Sequence, residues 1–166
     1  MITIRKCQSN DEEAARELIV ETLHQEFPKD IQTLPLEDLD DISSSYGKLG
    51  EAFFIALSNG KVVGTVAIKR EDERTAFLRR LFVSPDFRRK RIGSDLIERA
   101  IEFCREVGYD EIIFKTTSAM DRAVSLCEKK GFVPKTKLEV GPVHLLKYAL
   151  FLKAEALPRQ SKKVSS

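Results

Sequence analysis

The chain has 166 residues, 42% hydrophobic and 33% charged, the balance of a single folded domain. That composition excludes a disordered chain and a fibrous repeat. Its net charge of +2 excludes a strongly polyanionic or polycationic protein, although the total conceals a local concentration of cations.

Ile2 and Ile4 alternate with polar neighbours and predict a short first strand. This N-terminus lacks the apolar stretch and cleavage site of a signal peptide. No later run approaches the roughly 18 apolar residues of a membrane span, so a cytoplasmic protein with no membrane partner is expected. Ser9 or Asn10 is placed to cap a helix, with Glu12 or Glu13 three residues on. Ala15, Leu18, Ile19 and Thr22 share one face of that helix, and Pro28 ends it. Pro35 opens a shorter helix with Leu36, Leu39 and Ile42 inward and Glu37, Asp38, Asp40 and Asp41 outward.

Two apolar runs, 53–57 and 62–68, flank Ser58-Asn59-Gly60-Lys61, which predicts a hairpin with a type I′ turn. A further strand runs from Ala76 to Val83 and is stopped by Pro85. Along it, Leu78 fits one parity and Leu81 and Val83 the other, with Arg79-Arg80 at the break. Either a β-bulge supplies the extra residue, or the strand is apolar on both faces. Residues 93–107 repeat apolar side chains at helical spacing and stop at Gly108. A buried strand spans Glu111–Thr116, and a short helix spans Asp121–Lys130 before Gly131. Strands 132–140 and 143–152 turn at Gly141-Pro142. The order β-α-α-β-β-β-α-β-α-β-β implies an α/β (α+β) fold: a mixed, mostly antiparallel twisted sheet with helices on both faces. Residues 1–152 form the domain, and 153–166 a basic tail of local charge +3.

The concentrated charge lies in residues 79–91, where six basic side chains face Asp86 alone, a local +5. The stretch Leu81-Phe82-Val83-Ser84-Pro85-Asp86-Phe87-Arg88-Arg89-Lys90-Arg91-Ile92-Gly93-Ser94 ends a strand, crosses a basic loop and starts a helix. The first amides of a helix lack internal partners, and its dipole is positive there, which suits a phosphate or pyrophosphate. The flanking arginines add forked donors, and Gly93 lets a backbone come close. The bland alternative is a solvated surface or a nucleic-acid patch. Nucleic acid is the weaker choice, because Phe87 is the one aromatic in the loop and the rest of the chain is acidic. Cys7, Cys104 and Cys127 show no CxxC spacing, and no His/Cys cluster points to a metal.

The Leu-Phe-Val-Ser-Pro strand end, the Arg88–Gly93 loop, its helix, and Ala123…Glu128-Lys129-Lys130-Gly131-Phe132 together resemble the GNAT superfamily of acetyl-CoA-dependent N-acetyltransferases. The resemblance covers residues 2–152 in element order. It implies acetyl transfer from acetyl-CoA to an amine of a small molecule or peptide, by direct attack in a ternary complex. It implies that amides across Arg88, Arg89, Lys90, Arg91, Ile92, Gly93 and Ser94 hold the CoA pyrophosphate. It also implies that the Leu81-Phe82-Val83 strand pairs with the pantetheine arm, parting from the strand at 112–116 to admit it. A backbone N–H near Leu81 would polarise the acetyl carbonyl. Relatives are monomers or dimers.

The chain departs from the family pattern at several positions. Arg91 stands where a glycine is usual. Met120 stands where an Asn usually contacts the cofactor, and Cys127 where a Tyr usually protonates the leaving thiolate. Cys127 is then either that acid or a small buried hydrophobe. Phe77 replaces a glutamate base, leaving Glu26, or water, in that role. The acidic run Glu37–Asp41 either favours a cationic acceptor or is a plain solvated face. A second reading of the same fold is a non-catalytic acyl-CoA binder.

Overall fold

The computed structural model describes residues 1–29, 34–117, 120–140 and 143–153. Strand β1 (Ile2–Lys6) passes through a 3-10 turn (Ser9–Asp11) into helix α1 (Glu12–Glu26). A second 3-10 turn (Glu37–Asp40) and the one-turn helix α2 (Ile42–Ser45) lead to β2 (Ala52–Ser58), β3 (Lys61–Arg70) and β4 (Thr75–Val83). Then come α3 (Ile92–Val107), β5 (Glu111–Thr117), α4 (Asp121–Lys129), β6 (Val133–Val140) and β7 (Val143–Phe151). This is the expected order, with one change: the helix expected to open at Pro35 is a 3-10 turn followed by the single turn of α2, whose cap is Asp41. One seven-stranded sheet forms, ordered β1-β2-β3-β4-β5-β7-β6, in which β4–β5 is the parallel pair.

Alternation along the strands divides the core between the two faces of the sheet. Phe54, Ala56, Val66 and Ile68 face α3, which buries Leu96, Ile97, Ala100 and Cys104 against them. Phe53, Ile55 and Ala67 face the other way, onto Ile19 and Leu23 of α1 and onto Leu39, Ile42 and Tyr46. Leu96 and Ile97 are wholly buried, so truncating either to Ala costs about 2–5 kcal/mol. Gly64 brings β3 close under α3: an added Cβ would lie 2.8 Å from Leu96 Cδ1.

Features set by local residues match the sequence expectation. Asn59 (φ 50°) and Gly60 (φ 80°) both take the positive φ of the expected turn. Gly108 (φ 100°) closes α3. The cap of the first helix differs. The Gln8 N–H donates to Asp11 Oδ2 at 2.8 Å, and Arg5 grips the same carboxylate at 2.7 Å. The reciprocal cap therefore closes the 3-10 turn ahead of α1, because a paired carboxylate outcompetes the Ser9 hydroxyl. The turn at 141–142 and the tail from 154 onward lie outside the described residues. Lys153 is tied to the Gly108 carbonyl at 2.9 Å and to Asp110 at 3.2 Å.

Candidate active site

β4 and β5 pair from Thr75–Glu111 to Leu78–Phe114. Past that point β4 continues to Val83 and β5 to Thr117 with no pairing between them. The strands part where the residues 81–83 begin, leaving one edge of β4 without a strand. The cause lies in the ladder with β3. Its register jumps from Ala67–Arg79 to Thr65–Phe82, so Arg80 and Leu81 stand opposite Val66 alone. The parity slip is a bulge, which bends its strand and leaves backbone groups outside the ladder. At the far end of β5 the Thr116 and Thr117 hydroxyls are buried without a hydrogen-bond partner among the described residues.

The bulge rests on an unusual residue. Arg80 has φ 54°, a left-handed conformation that costs a non-glycine residue about 1–3 kcal/mol. Its side chain crosses to the 3-10 turn before α2. Arg80 Nε donates to Asp38 Oδ2 at 3.0 Å, and Nη2 donates to Asp38 Oδ1 at 2.5 Å and to the Pro35 carbonyl at 2.7 Å. The Tyr46 hydroxyl donates to Asp38 Oδ2 at 2.6 Å. The two charged side chains are 8% and 13% exposed. Burial pushes the Asp38 carboxyl up, but hydrogen bonds from Arg80 and Tyr46 outweigh it and hold Asp38 below the usual carboxylate range. From the other side, the buried Thr65 hydroxyl donates to the Arg80 carbonyl at 2.7 Å. Asp38 therefore does not belong to an outward acidic face. Asp41 is also occupied, accepting from the Ser44 N–H at 3.1 Å as the cap of α2. With two of the acidic run's four carboxylates spent inside the fold, the electrostatic case for a cationic acceptor weakens.

After β4, a 3-10 turn (Pro85–Phe87) leads into the basic loop. Arg89 (φ 66°) and Arg91 (φ 64°) are both left-handed. Arg91 thus adopts the backbone that a glycine would take freely, at the cost of strain. Asp95 makes the first intrahelical bond of α3, to the Arg91 carbonyl at 2.9 Å. The amides of Ile92, Gly93 and Ser94 precede it and have no intrahelical acceptor. A left-handed residue feeding a helix start gathers such amides into a concavity suited to an anion. Arg89, Lys90 and Arg91 are exposed around it, and Lys90 Nζ lies 5.1 Å from the centre of the Phe87 ring. Ile92 is core. Gly93 serves packing: an added Cβ would lie 2.8 Å from Leu126 Cδ1 of α4 and 3.5 Å from Val83 Cγ2. Its missing side chain lets α3 and α4 approach each other.

Arg88 reaches to the end of α1. Its guanidinium donates to both carboxylate oxygens of Glu26, at 2.5 and 2.7 Å, and Arg122 adds a third contact at 3.3 Å. The expected pyrophosphate donor and the expected base are therefore bound to each other, joining the end of α1, the loop and the start of α4. The fork of Arg88 is spent, and both Glu26 oxygens are occupied. Cys127 is wholly buried, and burial pushes its thiol up to about 12. Its burial among core side chains is that of a small packed hydrophobe. Met120 and Phe82 pack on the α1 face, while Leu81 and Val83 pack on the α3 face. Thr65 and Tyr46 did not emerge from the sequence. A hydroxyl inside the aliphatic run 62–68 is the signal that would have raised Thr65.

The GNAT acetyltransferase family model matches residues 16–132. The protein named "Probable N-acetyltransferase camello" of Xenopus tropicalis is 33% identical over 118 residues, covering 69% of this chain and 53% of that protein. Human N-acetyltransferase 8 is 35% identical over 101 residues, covering 57% of this chain and 44% of that protein. The chain thus spans about half the length of the curated relatives it matches. Among solved structures, a GNAT-family acetyltransferase of Staphylococcus aureus Mu50 superposes with a TM-score of 0.81 at 24% identity, covering 92% of this chain and 100% of that one. A Salmonella typhimurium protein solved with its cofactor acetyl-CoA superposes with a TM-score of 0.77 at 22% identity, covering 95% and 98%. These structures share the fold. No described helix is long and apolar enough to cross a membrane, and the described residues hold no cluster of metal ligands.

Proposed function

We propose, from the premise that this chain belongs to the GNAT acetyltransferase family, that it transfers an acetyl group from acetyl-CoA to a primary amine. The observation that carries this reading is the parting of β4 and β5 past Leu78–Phe114, next to a helix start with unspent amides. Acetyl-CoA supplies the acetyl group as a thioester, which the amine attacks directly, giving an amide and free CoA.

The chain's own contribution is to bind and orient. The amides of Ile92, Gly93 and Ser94, with Arg89, Lys90 and Arg91 around them, take the diphosphate. The unpaired edge of Leu81–Val83 takes the pantetheine arm, which is rich in amides and needs a strand-like partner. A bulge N–H at Leu81 polarises the carbonyl, the role for which preorganised backbone donors are most effective. Cys127 is assigned to packing, and Glu26 to holding Arg88, so the amine arrives already neutral or gives its proton to water. Proximity within the ternary complex adds to the rate. The free-amine requirement makes activity rise with pH toward the acceptor's own pKa.

Titration calorimetry tests the binding step: CoA and acetyl-CoA should bind in the micromolar range, with a matching thermal shift. A titration with neither heat nor shift overturns the reading. The engagement of Cys127 and Glu26 favours one second reading, a non-catalytic acyl-CoA binder. Thiol release over a broad amine panel separates the two, since a binder shows affinity without turnover.

A further inference from the structure

We propose that Thr65 and Asp38 are positioning residues that aim the Leu81 N–H into the gap between β4 and β5. The inference rests on the acetyl-transfer reading above. It adds which side chains orient the carbonyl-polarising donor.

The argument runs through one peptide group. The bond joining Arg80 to Leu81 is trans, so its C=O and its N–H point in opposite directions. The C=O of that bond belongs to Arg80 and receives the Thr65 hydroxyl at 2.7 Å. Thr65 is on β3, so the carbonyl is fixed toward β3. The Leu81 N–H is then fixed away from β3, toward the side of β4 where β5 has departed. Thr65 is wholly buried, and among the described residues this is the hydrogen bond its hydroxyl donates.

The second hold is on φ. Left-handed backbone at Arg80 is what rotates the peptide into this orientation, and a residue released from strain would return to extended geometry and re-enter the ladder. Asp38 prevents that return by gripping both Nε and Nη2 of Arg80, while the Pro35 carbonyl and the Tyr46 hydroxyl complete the set. One residue on the sheet and one on the segment before α2 therefore both hold Arg80, the first at its carbonyl and the second at its side chain. Arginine is suited to this because its planar fork binds a carboxylate at two points, which fixes direction as well as distance.

The test uses the ¹⁵N-labelled full chain. Acetyl-CoA, compared with CoA, should shift the Leu81 amide resonance in the parent protein. Thr65→Val should abolish that acetyl-specific shift and lower kcat about tenfold or more, leaving the acetyl-CoA KM within about threefold. Thr65→Ser, which keeps the hydroxyl, should restore both. Asp38→Asn should lose kcat in the same direction. If Thr65→Val keeps the parent kcat and the shift, or if Thr65→Ser does not rescue, the positioning role is overturned while acetyl transfer stands. Should Thr65→Val fail to fold, the Asp38→Asn result decides by the same criteria. A parent protein that neither binds acetyl-CoA nor turns over removes the acetyl-transfer reading, and this one with it.

Discussion

Two arginine–carboxylate pairs tie the β4 strand and its following loop to the helical layer, and they differ in one property. Arg80–Asp38 is enclosed, with side chains 8% and 13% exposed. Arg88–Glu26 lies at the mouth, 21% and 25% exposed, and shares its carboxylate with Arg122, which is 70% exposed. Enclosure turns the first pair into a fixed clamp, because separating it strands a charge without water. The second has solvent and a second guanidinium as alternatives, so an incoming phosphate can compete for it. The same chemistry thus serves as a lock in one place and as an exchangeable contact in the other.

The largest expected effect is at the enclosed pair. Asp38→Ala should destabilise the fold by about 3 kcal/mol in denaturant titration, the low end for breaking a buried pair. A loss under about 1 kcal/mol would erase the distinction between the two pairs. The same clamp has a pH signature. The folded Asp38 carboxyl lies below its unfolded value of about 3.9, so its contribution is present above that pH. It is lost as pH falls through the lower folded value. The acid limb of the stability curve should therefore flatten in Asp38→Asn.

Left-handed arginines sharpen the comparison. Arg80 is clamped, whereas no described side chain grips Arg91. Arg91→Gly should raise stability by about 1 kcal/mol through relief of strain, yet weaken CoA binding through the lost cation. Arg80→Gly should lower stability. Equal signs at the two sites would break the argument that contacts hold the strained backbone at Arg80. The smallest effect belongs to the mouth. Glu26→Gln should change stability by less than about 1 kcal/mol, tighten CoA binding several-fold by releasing Arg88, and steepen its salt dependence. Weaker binding would instead make Glu26 a support that the loop needs.

Most of the element order was legible because its signals are local. The Asn59-Gly60 turn, the Gly108 stop and the helical repeat 93–107 each depend on residues a few positions apart. The loop before α3 was legible for the same reason, since strand end, basic residues and helix start are contiguous. The bulge was visible as a parity slip at Arg79-Arg80, though not what held it. Asp38 and Arg80 are 42 positions apart, and Glu26 and Arg88 are 62. Composition and periodicity carry no term for such pairings. Local pattern therefore places Asp38 toward solvent and gives Glu26 and Arg88 separate tasks.

The sequence by itself determined that this is a mixed sheet with helices on both faces and a basic loop before its longest described helix. Hydrophobic period, turn chemistry and the local density of charge settle those features within a few residues. The tertiary structure decided which side chains remain free to meet a ligand. It buried Cys127, paired Arg88 with Glu26 where a ligand must compete for it, packed Gly93 against α4 and locked Arg80 in a left-handed bulge. The physical reason is that burial and charge pairing depend on what the fold brings within hydrogen-bond distance, and such neighbours are set by distant parts of the chain.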